Sequence, residues 1–414
     1  MKRLIGLAAI FVALLSFTLS AAQAPTALRV DGVTIVKANG ARLLISGINV
    51  EMFRDYRGNG GECDYTSDGY YAVRDAFAKK FSELGINVAR LNYAYANLSA
   101  ANLAKFVDVA ESLMKRGIYV MPSDHTYTGG VLTGASASYP TMRAIIAEVR
   151  KRGLDEGLLI MNPFNEPGPD VTPAAWLLAQ QKVLQDLRTT AKFDGLVVLD
   201  GTGWSTMLDV TTFNKVITYD SQLRTSLAQS GDVLPAKVAF SNHLYPNITG
   251  LPATIGANSD KVPLIVGEIG QINPGASGLD PAYVRSVASQ ALKTWMPKGH
   301  NGLFVWIANW CDANKTWEDW TKNPSIPYSI DANGNLIEPL SPFGNVVISA
   351  YYNPMLATNG APPPVVTISP SGTPTRTASR TPTPVASLTP TSKPVIVVTG
   401  EFGGTPFSAI IEQR

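Results

Sequence analysis

Cysteine and histidine are scarce in this chain, with 2 and 3 residues in 414. Two cysteines cannot staple a disulfide scaffold or build a cysteine-rich zinc module, and three histidines leave no His-rich metal site. No metal or other cofactor is therefore expected. Neither sign of charge dominates. The 34 Lys and Arg against 32 Asp and Glu leave a net charge of +2. That lacks the basic surplus that draws proteins onto nucleic acid, so no nucleic-acid partner is expected. Long apolar runs are few. The one at Leu4–Phe17 follows Lys2 and Arg3 and precedes Ala22-Gln23-Ala24. It is shorter than the roughly 20 residues that cross a bilayer, so it reads as a signal peptide over residues 1–24. The mature chain is then secreted, with nothing left to hold it in a membrane.

What the sequence does have is apolar mass. Hydrophobic residues make up 45% and aromatics 9%, enough for a sizeable core. The composition changes towards the end: of the 37 residues from Thr358 to Pro394, 23 are Pro, Thr or Ser. Such a stretch has little to bury and reads as an extended, disordered linker. Residues 395–414 form a short tail, too few for a domain and consistent with a spacer or the remnant of a missing module. The folded part is placed at 25–357.

Within it, apolar runs alternate with amphipathic helical patterns. The runs are Leu43–Val50, Val88–Tyr93, Tyr119–His125, Leu158–Asn165, Leu196–Gly201, Lys237–Tyr245, Val262–Gly270 and Gly302–Asn309. Continuous apolarity suits strands buried on both faces, as in a parallel sheet. Ser99, Thr172-Pro173 and Asp280-Pro281 supply helix starts. Eight units, each about 25 to 45 residues long, point to an α/β fold of the (β/α)8 TIM-barrel class. No glycine-rich phosphate turn follows the first strand, as a doubly wound sheet would require. Arg29–Arg42, with Asn39-Gly40 as its turn, reads as a short N-terminal β-hairpin closing the bottom of the barrel.

Chemistry in such a barrel gathers at the carboxyl ends of the strands. There the sequence places Asn49 and Glu51, then Arg90 and Asn92, Asp124-His125, Asn165-Glu166-Pro167, Asp200, His243-Leu244-Tyr245, Glu268 and Trp306. Glu166 and Glu268 each close an apolar run and would face one central cleft. Two carboxylates across a cleft are what glycosidic bond cleavage needs, one protonated to release the leaving oxygen and one ionised to attack the anomeric carbon.

Asn162-Pro163-Phe164-Asn165-Glu166-Pro167 and Ile265-Val266-Gly267-Glu268-Ile269-Gly270 resemble the two catalytic signatures of glycoside hydrolase family 5. The order Arg90, His125, Asn165-Glu166, His243, Tyr245, Glu268 and Trp306 is similar to that family's functional set, over about Ile45 to Trp310. The resemblance implies a retaining double displacement with Glu166 as acid/base and Glu268 as nucleophile. It also implies that Arg90 and Tyr245 keep Glu268 ionised, that His243 tunes Glu166, that Asn165 and His125 hold sugar hydroxyls, and that Trp306 floors the reacting ring.

Trp204, Trp306, Trp310, Trp317 and Trp320 fall in top-face segments, with Tyr95 and Tyr127 in others, and flat aromatic faces along a groove suit a sugar polymer. Trp204 and Trp310 are expected to touch carbohydrate, Trp176 and Trp295 to pack in the core, and His300 to lie in a surface turn. Cys63 and Cys311 follow neighbouring barrel strands from the same end, so an exported chain is expected to join them in a disulfide. The expected activity is that of a monomeric endo-acting enzyme on a β-1,4-linked polysaccharide, cellulose or a related glucan. Mannan, xyloglucan and mixed-linkage glucan are alternatives. Two rival classes are a non-catalytic carbohydrate-binding barrel and a metal-assisted hydrolase using Asp124-His125 and Asp200.

Overall fold

A computed structural model of the chain describes residues 27–53, 69–229, 231–270, 281–306, 346–359, 395–402 and 405–412. The expected signal peptide, the Cys63–Cys311 pair, Trp310, Trp317 and Trp320, and all of the expected linker 358–394 but Thr358 and Asn359, which end a helix, lie outside the described residues. The chain divides into two units, Met1–Thr367 and Ile368–Arg414. In the second, Val395–Phe402 and Thr405–Glu412 pair as an antiparallel hairpin, built from β-branched and apolar residues that favour extended backbone.

The first unit holds the barrel. Its strands are β3 (Ile45–Phe53), β4 (Val88–Tyr93), β5 (Tyr119–Asp124), β6 (Val197–Asp200), β7 (Val238–Leu244), β8 (Leu264–Ile269) and β9 (Gly302–Val305). They form one parallel sheet in the order β5-β4-β3-β9-β8-β7-β6. Every residue of these seven strands is buried, as their unbroken apolarity predicts.

The expected fourth strand, Leu158–Asn165, is not a regular strand. Leu158 still belongs to a single 3-10 turn (Glu156–Leu158), and Pro163 has no N–H to continue a ladder. Isolated parallel bridges remain, Val120↔Leu159 and Ser123↔Asn162 on one side and Met161↔Val197 on the other. The Ile160 N–H donates to Val120 O at 2.9 Å and the Met161 N–H to Leu196 O at 3.0 Å. Residues 159–162 thus bridge β5 and β6, the two edges of the seven-stranded sheet, and supply the eighth position of the ring.

The N-terminal hairpin is present, but its turn is elsewhere. Strands β1 (Arg29–Asp31) and β2 (Thr34–Val36) pair across Gly32, which takes φ +60°, a conformation glycine reaches without steric cost. Asn39-Gly40 instead turns the chain between Val36 and Arg42, which bridge each other. The hairpin is fastened to the start of β9, where Asn301 Oδ1 accepts the Ile35 N–H and Asn301 Nδ2 donates to Val33 O.

Helices surround the ring. They include α1 (Gly69–Glu83), α2 (Ala100–Met114), α3 (Tyr139–Lys151), α4 (Pro173–Gln185), α5 (Val210–Ala228), α6 (Leu251–Asn258), α7 (Pro281–Gln290) and α8 (Asn353–Asn359). The α2 helix starts where its cap predicts, with Ser99 Oγ accepting the Asn102 N–H, and buries Phe106, Val107, Ala110, Leu113 and Met114. Thr172 caps α4 in the same way, ahead of Pro173. Trp176 and Trp295 are buried packing residues, as expected. His300 is not at the surface: it is buried beneath Trp295, and its Nδ1 accepts the Gly302 N–H. In sequence, a polar residue next to a glycine turn carries no sign of what packs over it. Among the described residues no helix is long and apolar enough to cross a membrane.

Candidate active site

Parallel register brings the polar residues at the strand ends to one level. Arg90 of β4 is fully buried at the centre. Its Nε and Nη2 donate to Asn162 Oδ1 at 3.2 and 2.8 Å, and Nη1 donates to Asn49 Oδ1 at 3.0 Å. Nη2 also donates to Asn165 Oδ1 at 2.6 Å and reaches Asp200 Oδ2 at 3.4 Å. The remaining partner is Glu268, whose Oε1 accepts from Nη1 at 2.7 Å. A guanidinium buried this deeply is tolerable only because each N–H has an acceptor and its charge faces carboxylates.

Glu268 is 3% exposed and is held from two sides, by Arg90 at Oε1 and by the Tyr245 hydroxyl, which donates to Oε2 at 2.6 Å. Its direction is set by a bulge. Asn242 pairs with Val266 and His243 with Glu268, so Gly267 is the extra residue on β8. One unpaired residue reverses the inward and outward alternation and re-aims the next side chain. The Gly267 carbonyl exposed by the bulge accepts from Asn49 Nδ2 at 2.9 Å.

Glu166 leaves the backbone at φ +47°, unusual for a residue with a Cβ. Its N–H donates to Asp200 Oδ2 at 3.1 Å and its carbonyl accepts the Gly129 N–H at 2.7 Å. Oε1 lies 2.6 Å from His243 Nδ1. Burial pushes the Glu166 carboxyl above the usual carboxylate range, the charge of Glu268 pushes the same way, and His243 opposes both. Burial pulls His243 down, but Glu268, Asp200 and Glu166 outweigh it and leave the imidazole raised.

One carboxylate oxygen of Glu166, one of Glu268 and one His243 nitrogen all lie within 4.8 Å of one another. Three such groups could share a cation. Here the guanidinium of Arg90 already supplies the positive charge against Glu268, and a dication would face it at close range. The spacing instead suits two carboxylates acting directly on one bond.

The other expected residues fall around this pair. Asn165 is buried between Arg90 and Thr128, whose Oγ1 accepts from Asn165 Nδ2 at 3.0 Å. His125, at the end of β5, is stacked on Trp306 with ring centroids 6.1 Å apart. Trp306 packs against Tyr245 in a small cluster apart from the main core. Trp204 is 48% exposed at the rim. Tyr95 and Tyr127 stack on each other with centroids 6.4 Å apart, so each ring has one face already occupied by the other. Asn49, Asn162 and Asp200 complete the site without an expected role in sugar binding or the double displacement, Asp200 being a candidate ligand only in the rival metal-assisted reading. Asn49 and Asp200 stand at strand ends, where polar residues are the available signal. Asn162 is four residues short of Glu166, and only its hydrogen bonds to Arg90 disclose it.

Comparison with known proteins agrees with this architecture. No curated protein sequence matches the chain. The family model for cellulase (glycosyl hydrolase family 5) matches residues 36–314. Among solved structures, a β-mannanase from Thermomonospora fusca is 17% identical with a TM-score of 0.53, the match covering 79% of this chain and 95% of that one. The catalytic domain of a Thermobifida fusca endoglucanase, in complex with cellotetraose, is 14% identical with a TM-score of 0.54 and covers 78% and 97%. A β-mannanase from Streptomyces thermolilacinus, solved with mannohexaose, is 17% identical with a TM-score of 0.53 and covers 80% and 96%. At these identities the structural likeness speaks for the (β/α)8 fold, and the family match, spanning most of the chain, makes this protein a glycoside hydrolase of family 5.

Proposed function

We propose that the chain is a secreted, retaining, endo-acting hydrolase of β-1,4-linked polysaccharide, with Glu166 as acid/base and Glu268 as nucleophile. The observation that carries this reading is the approach of the two carboxylates to within 4.8 Å, close to the roughly 5 Å typical of retaining pairs and too near for an intervening water. In the first step a Glu268 oxygen bonds to the anomeric carbon while the bond to the leaving oxygen breaks. Glu166 gives that oxygen its proton. In the second step water attacks the same carbon, Glu166 takes the water's proton, and the bond to Glu268 breaks.

The electrostatics supports the change of role. The charge of Glu268 is one of the causes that raise Glu166, and it disappears once Glu268 is esterified. Glu166 therefore holds its proton before the first step and is a better base in the second. Arg90 and Tyr245 fix both oxygens of Glu268. Asn165 gives its oxygen to Arg90 and one amide N–H to Thr128, which leaves the second N–H, a long 3.5 Å from Glu166 Oε2, to donate to a sugar hydroxyl. His125 would hold a neighbouring hydroxyl, Trp306 would floor the reacting ring, and Trp204 and Trp310 would stack further sugars.

Glucan is the first substrate proposed. Mannan is the second, favoured by the presence of β-mannanases among the structures that share the fold. Assays on carboxymethyl-cellulose, mannan, xylan, xyloglucan and lichenan separate them. On the hydrolysed polymer, Glu268→Gln should lose nearly all turnover while retaining binding. Glu166→Gln should lose about 10²–10⁴-fold, and much less on an aryl glycoside whose leaving group needs no proton. Undiminished hydrolysis by Glu268→Gln would overturn the assignment, and a wild type that binds polymer but cleaves none would favour the binding barrel.

A further inference from the structure

Asp200, at the end of β6, has no place in the double displacement, yet it touches both the backbone and the side-chain partner of Glu166. Its carboxylate is fully buried among donors. Oδ1 accepts from Asn162 Nδ2 at 3.0 Å. Oδ2 accepts the Glu166 N–H at 3.1 Å and lies 3.4 Å from Arg90 Nη2. The same oxygen lies 3.3 Å from His243 Nε2, near enough for its charge to act on that nitrogen although the two are not aligned for a hydrogen bond, and the other nitrogen of that imidazole is the one 2.6 Å from Glu166 Oε1.

We propose that Asp200 is a positioning residue for Glu166: it fixes a proton on His243 Nε2, so that Nδ1 faces the acid/base, and it holds the left-handed backbone of Glu166 through the peptide N–H. The proposal rests on the reading of Glu166 as acid/base. An ionised carboxylate accepts only, so a nitrogen facing it is favoured as N–H. Nδ1 is then left to share one proton with Glu166 Oε1. During turnover Glu166 gives one proton to the leaving oxygen and regains one from water, and His243 ends with the proton count it began with.

An amide cannot take this role. Asparagine has one acceptor oxygen, and it would have to turn its N–H₂ toward one of four neighbours that already present hydrogens. Turned toward Nε2, it would favour the other tautomer and aim an N–H permanently at Glu166. The charged and titratable groups facing the pair are Arg90 from β4, Asp200 from β6, His243 and Tyr245 at the end of β7, and Glu268 from β8. Removing the negative charge of Asp200 weakens the hold on the Glu166 proton, which gives the direction of the test.

Two measurements decide it. The full chain holds three histidines, so imidazole ¹⁵N spectra of the wild type are simple, and the His243 signals are assigned by their loss in His243→Gln. Nε2 should be protonated throughout about pH 5 to 8, the range in which free imidazole titrates. A neutral Nδ1–H tautomer at pH 7 would overturn the proposal, whether or not any variant folds.

The second measurement is the pH profile of kcat/KM for Asp200→Asn. Its alkaline limb, which reports the free enzyme's acid, should move to lower pH by about half a unit or more. The loss on polysaccharide should be about tenfold larger than on a 2,4-dinitrophenyl glycoside, whose departure needs no proton. An unmoved limb with equal losses on both substrates would mean a structural role only and would overturn the proposal. Glu166→Gln is run alongside. If it shows no leaving-group dependence, the acid/base reading itself fails; if it shows it and Asp200→Asn does not, only the role of Asp200 fails.

Discussion

Gly267 shows how much one missing side chain does in this cleft. A Cβ built there would stand 2.2 Å from Ser241 Oγ and 2.8 Å from His243 Nε2. The bulge therefore needs glycine for space, on the residue that immediately precedes the proposed nucleophile. Gly267→Ala has to push Ser241 and His243 aside, and His243 is the neighbour of Glu166. Overpacking of a rigid core costs about 1–3 kcal/mol. The variant should melt at lower temperature and lose more kcat than KM, because the displaced groups belong to the acid/base and not to distant sugar contacts. Wild-type kcat in a folded Gly267→Ala would show that the imidazole position does not matter.

At the scale of elements, three loops at the top of the barrel are laced through their backbones. The Gly129 N–H donates to Glu166 O, the Gly168 N–H to Gly130 O at 2.9 Å, and the Trp204 N–H to Pro167 O at 2.9 Å. Several members of this lacing take left-handed conformations: Glu166 at φ +47°, then Gly203, Trp204 and Ser205 at φ +62°, +60° and +57°. Such residues cost about 1–3 kcal/mol each when they carry a Cβ, and persist where the surroundings hold them. The Trp204 indole lies across Gly129, where a Cβ would meet its ring at 2.0 Å. Gly129→Ala, strained as well by φ +69°, should dislodge the indole. If Trp204 stacks a sugar, KM for polymer should rise several-fold while a short aryl glycoside is less affected. Equal effects on both would place Trp204 outside the binding groove.

For the whole molecule, two buried groups outside the reacting pair act on stability in opposite directions with pH. Burial, helped by Arg42, holds His300 at about 3. It remains neutral in the folded chain while the unfolded chain takes up a proton near pH 6.5. Its contribution is complete above about pH 6.5 and is lost as pH falls toward 3. Asp124 is pushed up by burial to about 6, against the hydrogen bonds of Thr126, Ser138 and Tyr95. Its contribution is present below about pH 4 and is lost as pH rises through 6. Between these limits the two slopes offset each other. His300→Asn removes one of them. Its deficit in unfolding free energy relative to wild type should be largest near pH 7 and shrink by about 2 kcal/mol by pH 5, as denaturant titrations at the two values would measure. A deficit independent of pH would mean that the imidazole takes up its proton in the folded chain.

The strand periodicity and the two carboxylate-bearing motifs were legible in the order of residues, because buried parallel strands write continuous apolar runs and barrel chemistry collects where those runs end. Glu166, Glu268, Arg90, His243 and Tyr245 could be named in that way, and the chain does bring them together. The sequence could not tell that Leu158–Asn165 bridges its neighbours without a regular ladder, that the first hairpin turns at Gly32, or that His300 is buried. Nor could it join Asn49, Asn162 and Asp200 to Arg90, since those partners lie up to 110 positions apart and meet only through strand register. Local pattern determines which backbone each segment prefers and which face it buries. Which buried polar groups satisfy one another is decided by closure of the ring, because a hydrogen bond depends on distances that no single segment contains.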